Sequence, residues 1–386
     1  MKIVDIKMYK VSYPIRGQWG AGIQLENNSG IVEVFTDEGI SGLGEMNQVG
    51  AHSSNSGGIL YEDLLDKVIK PRLIGEDPLN IRSVWKKACE ASASAGVRRL
   101  DASAAVEIAC WDILGKTYEQ PVHKLLGYSV DKFPVYAAPS LKQPEVILEE
   151  CEEYKARGFK AIKLRIGLGM VGLDDYRSLK KDIQILQGAR KIFGSEMVIG
   201  VDTDRTYDHL SATKLAPVLE EIDVTWFEEP LTSIKSPDND TYVNEMVSLK
   251  NKINVPLSGG QGFVGRHEFK EIVSRQAVDI VQPDLIFAGG ITETIAIADI
   301  ASAWGVRCMP HVSCGAGTDI QFLATAYAMA AMSYEMYACY PIYDTPLRTE
   351  LPIEQIKIVD GDLILPQTPG IGIEFNREAL EKYLKK

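Results

Sequence analysis

Short apolar runs recur along this chain, and several of them close on a single polar side chain. From about residue 131 the runs PVYAA, KAIKLRI, MVIGVD, TWFEE, NVPLSG, VDIVQPD, VRCMPH and the shorter SYEMY alternate with stretches such as PEVILEECEEYKARG and DIQILQGARKIFG. Runs rich in Val, Ile and aromatics, bounded by turn residues, predict buried strands, and the stretches between them predict helices. Eight strands alternating with helices predict a parallel α/β barrel rather than an open sheet. The first third has another rhythm. IVDIKMYKVSY and GIVEVFTDEGISGLGEM predict antiparallel strands, with DEG as a hairpin turn. The stretches 14–28 and 46–58, rich in Gly, Asn and Ser, predict loops. From about 60 to 126 the pattern turns helical. The division expected is an α+β domain over 1–130, a barrel over 131–349, and a segment, 350–386, that leaves the barrel rhythm and returns to the first domain.

Composition narrows the function. With 386 residues the chain is too long for one ordinary core and suits a barrel plus a second domain. A net charge of −12 leaves no basic surplus for nucleic-acid phosphates. It does not exclude a small anionic substrate, because a metal or a few local cations reverse the field inside a pocket. The six cysteines are scattered without a CxxC pair, and Cys308, Cys314 and Cys339 are read as small buried hydrophobes. MKIVDIKMYK has no apolar signal core, and no apolar run approaches the roughly 18 residues that span a bilayer. A cytoplasmic enzyme with no membrane partner is expected.

In a parallel barrel the strand ends on one face converge on one site. That gathers Lys163 and Arg165, then Asp202, Glu228 with Glu229, Gln261 in SGGQG, Asp284 and His311. A single acid at a strand end is as readily a helix cap or a loop ion pair. The ordered set points further, because hard oxygen ligands from successive strand ends suit Mg²⁺. Lys163 and Arg165, two apart on one strand, share a face and suit a carboxylate. Asp284 beside His311 would fix the imidazole tautomer and raise the basicity of the other nitrogen. His52 falls in a loop as a substrate contact, while His123, His209 and His267 read as structural.

Together these segments resemble the enolase superfamily, most closely its mandelate racemase-like subgroup, over nearly the whole chain. GISGLGEM resembles the family's first-domain hairpin and VEIACWDILGK its helix before the barrel. FKAIKLRIG is similar to the Lys-x-Lys strand, TWFEEP to the second ligand strand and QPDLIFAGGITET to the sixth-strand Asp segment. MPHVS resembles the His strand and DGDLILPQTPGIGIEF the C-terminal return. The resemblance implies a (β/α)₇β barrel under an α+β cap, and Mg²⁺ held by three strand-end side chains against a substrate carboxylate. The α-proton is then removed and the enediolate held by the cation. Asp202 and Glu228 would be the first two ligands, and Asp284 with His311 the dyad. Glu335 in SYEMY would be the eighth-strand acid that hydrogen-bonds a substrate carboxylate oxygen. Trp19, Glu45, Asn47 and His52 would set specificity. A symmetric homo-oligomer is also implied.

Two residues depart from the family pattern. Gln261 stands where the third ligand is usually Glu. Its carbonyl can still coordinate Mg²⁺, and Asp204, placed with the substrate contacts, restores charge nearby. Arg165 stands where the second lysine acts as a base. A guanidinium with a pKa above about 12 stays protonated, so it suits carboxylate binding instead. One good base, His311, suffices for β-elimination of water from a sugar acid, giving a 2-keto-3-deoxy acid. An epimerase, racemase or lactone cycloisomerase acting on a related acid is the alternative, and a non-catalytic acid-sugar binder is the reading from another class.

Overall fold

The computed structural model describes residues 1–19, 22–46, 60–127, 131–167, 175–232, 238–313, 317–332, 336–342 and 345–385, apart from the side chains of 15–27 and 175–178. Strands β1 (Ile3–Trp19), β2 (Gly22–Thr36) and β3 (Ser41–Met46) form an antiparallel sheet in that order. Stretch 14–28 is therefore not a loop. The ladder runs on through Pro14↔Glu26, Gly17↔Gln24 and Trp19↔Gly22. Cross-strand backbone bonds override a turn-like composition, because strand propensity depends on pairing context. Most of stretch 46–58 lies outside the described residues.

Helix Asp101–Thr117 packs on β3 through buried Ala102, Ala105 and Ala109. Contact is that close because Gly42 and Gly44 present bare backbone. A Cβ on Gly44 would lie 1.9 Å from the Ala105 carbonyl oxygen. We expect Gly44→Ala to force sheet and helix apart and destabilise the protein by about 3 kcal/mol, at the upper end of ordinary overpacking, read as a lower urea midpoint. An unchanged midpoint would mean that the sheet and helix can part without cost.

The second unit is the predicted barrel. Its strands are β4 (Lys132–Ala138), β5 (Ala161–Arg165), β6 (Val198–Asp202), β7 (Trp226–Glu228), β8 (Leu257–Gly259), β9 (Ile280–Val281), β10 (Arg307–Cys308) and β11 (Ala338–Pro341). They pair in parallel from β4 through β10, and β11 returns to pair with β4. Helices follow the first seven strands, which makes the architecture (β/α)₇β. The eighth strand falls just after SYEMY, not on it. ACYP pairs with Val135–Ala138, while 333–335 lie outside the described residues. The alternation in SYEMY imitates a strand, but the pairing partner selects the next four residues.

Side chains alternate along each strand. Ile162, Leu164, Ile199 and Val201 are fully buried on one face. On the other face, inside the barrel, Trp226 fills the layer beneath Glu228. Gly200 leaves room for it, since a Cβ there would lie 2.0 Å from the indole. Tyr136 packs against that indole at 5.4 Å between ring centroids. This aromatic floor closes the barrel under the polar strand ends.

After β11 the hairpin β12 (Lys357–Val359) and β13 (Asp362–Ile364) pairs antiparallel to the start of β4. The chain then crosses to the first domain. Arg377 grips buried Glu33 of β2 through two bonds of 2.8 and 2.6 Å, and Leu384 bridges to Val11. The first domain and the tail together form the α+β cap. Buried acids tie cap to barrel. Glu107 accepts the N–H groups of Ile291 and Thr292, at 2.9 and 3.0 Å, at the start of helix Ile291–Ala303. Within the cap, Asp112 ties helix to sheet and tail, accepting the N–H groups of Leu43 and Ile371 and the ammonium of Lys116.

Candidate active site

The strand registers bring the polar ends together. Arg165 lies opposite Asp202, Asp202 opposite Glu228, and Glu228 opposite Ser258, while Asp284 and His311 form a parallel bridge. In-register neighbours of a parallel sheet project to the same side, so Asp202 and Glu228 enter the barrel mouth together. Between them lies the Lys163 ammonium, 2.7 Å from Glu228 Oε1 and 3.3 Å from Asp202 Oδ2. Arg165 donates to the same Asp202 oxygen from Nε at 3.2 Å and Nη2 at 2.9 Å. Burial alone would push the Asp202 carboxyl up, but Arg165 and Lys163 hold it well below the usual carboxylate range. Glu228 Oε2 is held from below by Gln282 Nε2 at 2.8 Å and Trp226 Nε1 at 3.2 Å.

The second half of the cluster is a base. His311 Nδ1 donates to Asp284 Oδ2 at 2.8 Å, which leaves Nε2 as the basic nitrogen. Ser313 Oγ donates to the same oxygen at 2.6 Å, and Gln321 Nε2 reaches Oδ1 at 3.1 Å. The N–H groups of Ile286 and Phe287 also cap Oδ1. Burial alone would lower the imidazole pKa, but the hydrogen bond and charge of Asp284 lift it above its ordinary value of 6.5.

The family models agree with this architecture. Residues 146–379 match "Enolase C-terminal domain-like", and residues 12–127 match "Mandelate racemase / muconate lactonizing enzyme, N-terminal domain". The chain belongs to the enolase superfamily, in its mandelate racemase-like group.

Relatives within the superfamily differ in reaction. The chain is 30% identical to an arabinonate dehydratase of Saccharolobus solfataricus, with 99% of each chain covered. It is 31% identical to a D-galactarolactone cycloisomerase of Agrobacterium fabrum, again over 99% of each. A solved structure of L-talarate dehydratase from Polaromonas, complexed with Mg and L-glucarate, superposes with a TM-score of 0.81 at 24% identity, covering 100% of this chain and 98% of that one. This superfamily protein is thus an enzyme by kinship, and its relatives include both lyases and isomerases. Among the described residues no helix is long and apolar enough to cross a membrane.

The donor set fits the superfamily's Mg²⁺ in a reduced form. Two carboxylate oxygens from neighbouring strand ends already converge on one cation, the Lys163 ammonium, within 3.3 Å. Ser258 Oγ and Gln282 Oε1 are buried oxygens with no hydrogen-bond partner among the described residues; Ser258 lies opposite Glu228 on the neighbouring strand, and Gln282 reaches Glu228 through its Nε2. Gln261 is half-buried two residues past β8. Among the described residues no third carboxylate, imidazole or thiolate joins Asp202 and Glu228. Glu229, next in sequence, turns away to the hydroxyl of Tyr242 and the N–H of Gly260. Asp202 and Glu228 are thus the two carboxylates brought together, and the Gln261 amide oxygen is the third donor expected from the sequence. Gln261→Glu adds the missing charge, and we expect about tenfold tighter Mg²⁺ binding, read from the Mg²⁺ dependence of the melting midpoint. Equal or weaker binding in that variant would remove Gln261 from the ligand set.

Other expected contacts separate in space. Asp204 is half-buried with φ +49°, and its N–H donates to Asp202 Oδ1 at 2.8 Å. The Arg205 guanidinium lies 3.4 Å from it. Glu45 does not join the cluster through any direct bond. Its fully buried carboxylate accepts Ser29 Oγ and two N–H groups of the barrel. Asn47, His52, Cys314 and Glu335 lie outside the described residues, and Trp19 is described in its backbone alone. His123 is buried with Nε2 on the Pro366 carbonyl, His209 pairs with Glu245, and His267 is exposed. A groove of about 810 Å³ between Ile81, Trp111 and Ile295 contains none of the strand-end residues.

Sequence reasoning missed Gln282, Ser313 and Gln321. For the first two a signal existed: each stands two residues from a strand-end group, Asp284 or His311, and so shares its face. For Gln321 there was none, because it stands in a largely apolar helical segment, Ile320–Ala330.

Proposed function

We propose that this enzyme removes the α-proton of a sugar-acid carboxylate and expels the β-hydroxyl as water, giving a 2-keto-3-deoxy acid. The observation that carries the reading is the Asp284–His311 pair beside two cations that are both engaged by carboxylates. The reading gives Lys163 and Arg165 the part of fixed positive charge and leaves the base to His311. Asp202, Glu228 and the Gln261 amide oxygen would hold Mg²⁺, which when bound stabilises negative charge on the substrate carboxylate. His311 Nε2 takes the α-proton, and the electrons of that C–H bond form the Cα–Cβ double bond as the Cβ–O bond breaks. The imidazolium returns the proton to the departing hydroxyl, releasing water, and the enol product tautomerises to the 2-keto acid. Lys163 and Arg165 add positive charge that would offset the negative charge gained by the substrate carboxylate.

The 30% identity to an arabinonate dehydratase supports this reading. The 31% identity to a galactarolactone cycloisomerase favours one alternative, in which the leaving oxygen belongs to a lactone ring and the same base removes the α-proton. A panel of mono- and diacid sugars and their lactones, incubated with Mg²⁺ and assayed for 2-keto acids with semicarbazide, separates them. Keto acid from an open sugar acid supports dehydration; turnover of lactones alone supports cycloisomerisation. If no panel member exchanges its α-proton with solvent deuterium, both readings fall.

As a base, His311 works only when neutral. Its pKa is raised, so kcat/KM should be low in acid and climb to a plateau above pH 6.5. A pH profile flat from 5 to 8 would deny His311 that role.

A further inference from the structure

Glu45 stands near the end of β3, fully buried, with three donors on its carboxylate. Ser29 Oγ lies at 2.6 Å, the Thr318 N–H at 2.9 Å and the Gln321 N–H at 3.0 Å. The last two belong to the barrel, at the start of helix Ile320–Ala330. Gln321 turns its own amide toward the base, and Nε2 donates to Asp284 Oδ1 at 3.1 Å. The other Asp284 oxygen accepts His311 Nδ1. The bonds thus run without a break from the cap sheet to the imidazole.

Gln321 is fully buried, and its Oε1 has no hydrogen-bond partner among the described residues. Its Nε2, by contrast, is engaged on the Asp284 carboxylate, a contact that a leucine of similar size could not make. Among the described residues Gln321 is the one side chain that both touches Asp284 and has its backbone bonded to the cap.

We propose that Glu45 and Gln321 are positioning residues through which the seated cap orients the Asp284–His311 base. The Glu45 carboxylate fixes the first turn of helix Ile320–Ala330, and Gln321 fixes the plane of the Asp284 carboxylate. The imidazole then presents Nε2 in one direction only. This inference rests on the reading of His311 as the base, and it gives Glu45 a task other than substrate contact.

The test uses the full chain carrying Gln321→Leu, Glu45→Gln, or both, each first checked for fold by circular dichroism and melting. In substrate-free protein, the proton on His311 Nδ1 gives a far-downfield resonance while the imidazole donates to the carboxylate. Gln321→Leu should broaden that resonance or move it upfield. On the substrate found in the panel, kcat should fall about tenfold, as for loss of one charge-assisted hydrogen bond, with KM changed by less than about twofold. The double variant should lose no more than the worse single one, because both act along one path. A folded Gln321→Leu protein with an unchanged resonance overturns the proposal. Should Glu45→Gln not fold, Gln321→Leu decides alone. Absence of any substrate would sink the dehydratase reading while the resonance still tests the positioning.

Discussion

Replacing His311 with Asn should cut keto-acid formation by about 10³-fold, as expected for loss of a general base, while the protein stays folded. The asparagine amide can still donate to Asp284 Oδ2 in place of Nδ1, and Ser313, Gln321 and the N–H of Ile286 continue to satisfy that carboxylate. No buried charge is stranded, so the melting temperature should shift little. What disappears is the nitrogen that takes the α-proton. The assay is keto-acid release with semicarbazide, alongside solvent deuterium exchange at the α-carbon. A variant that keeps a tenth of the activity would place the base elsewhere.

A second substitution separates charge from chemistry. Lys163→Met removes the ammonium between Asp202 and Glu228 while keeping most of its volume. Two acids that are almost wholly buried then share one barrel mouth. Arg165 still neutralises Asp202, but among the described residues Glu228 keeps only the neutral donors Gln282 and Trp226. Stripping the cation from such a group costs about 3–5 kcal/mol. In chelator the variant should therefore melt well below the wild type. Added Mg²⁺ should recover much of the loss by binding the folded state, and the wild type should respond less because its ammonium already balances the pair. Equal melting of the two proteins in chelator, with no response to Mg²⁺, would show that the carboxylates do not make a cation position.

These two predictions concern residues that were legible in the sequence, and the reason is physical. Asp202, Glu228 and Asp284 each end a run of apolar strand residues, and His311 follows one, so the change of polarity marks the strand terminus and the barrel converts terminus into site. Their supports are less visible. Gln321 lies in IQFLATAYAMA, where a polar residue in a largely apolar helix gives no sign of a carboxylate 37 positions away. Glu45 shows a similar limit: a family hairpin suggested a substrate contact, but its oxygens are bound to barrel N–H groups. The outer part of the β1–β2 hairpin, within 14–28, was lost to composition, since cross-strand backbone pairing leaves no mark in residue type. The eighth strand was displaced by a few residues for the same reason.

Glu107 bears on how the molecule comes apart. Helix Ile291–Ala303 begins with two N–H groups whose only acceptor among the described residues is this carboxylate from the cap. Separate the units, and those donors and the Glu107 charge exchange one another for water, while Trp111, which packs against the apolar cores of both, loses its cover. Neither unit is then a complete folded body. Cap and barrel should unfold as one cooperative block, and the slowest-exchanging amides of both should report the same opening free energy.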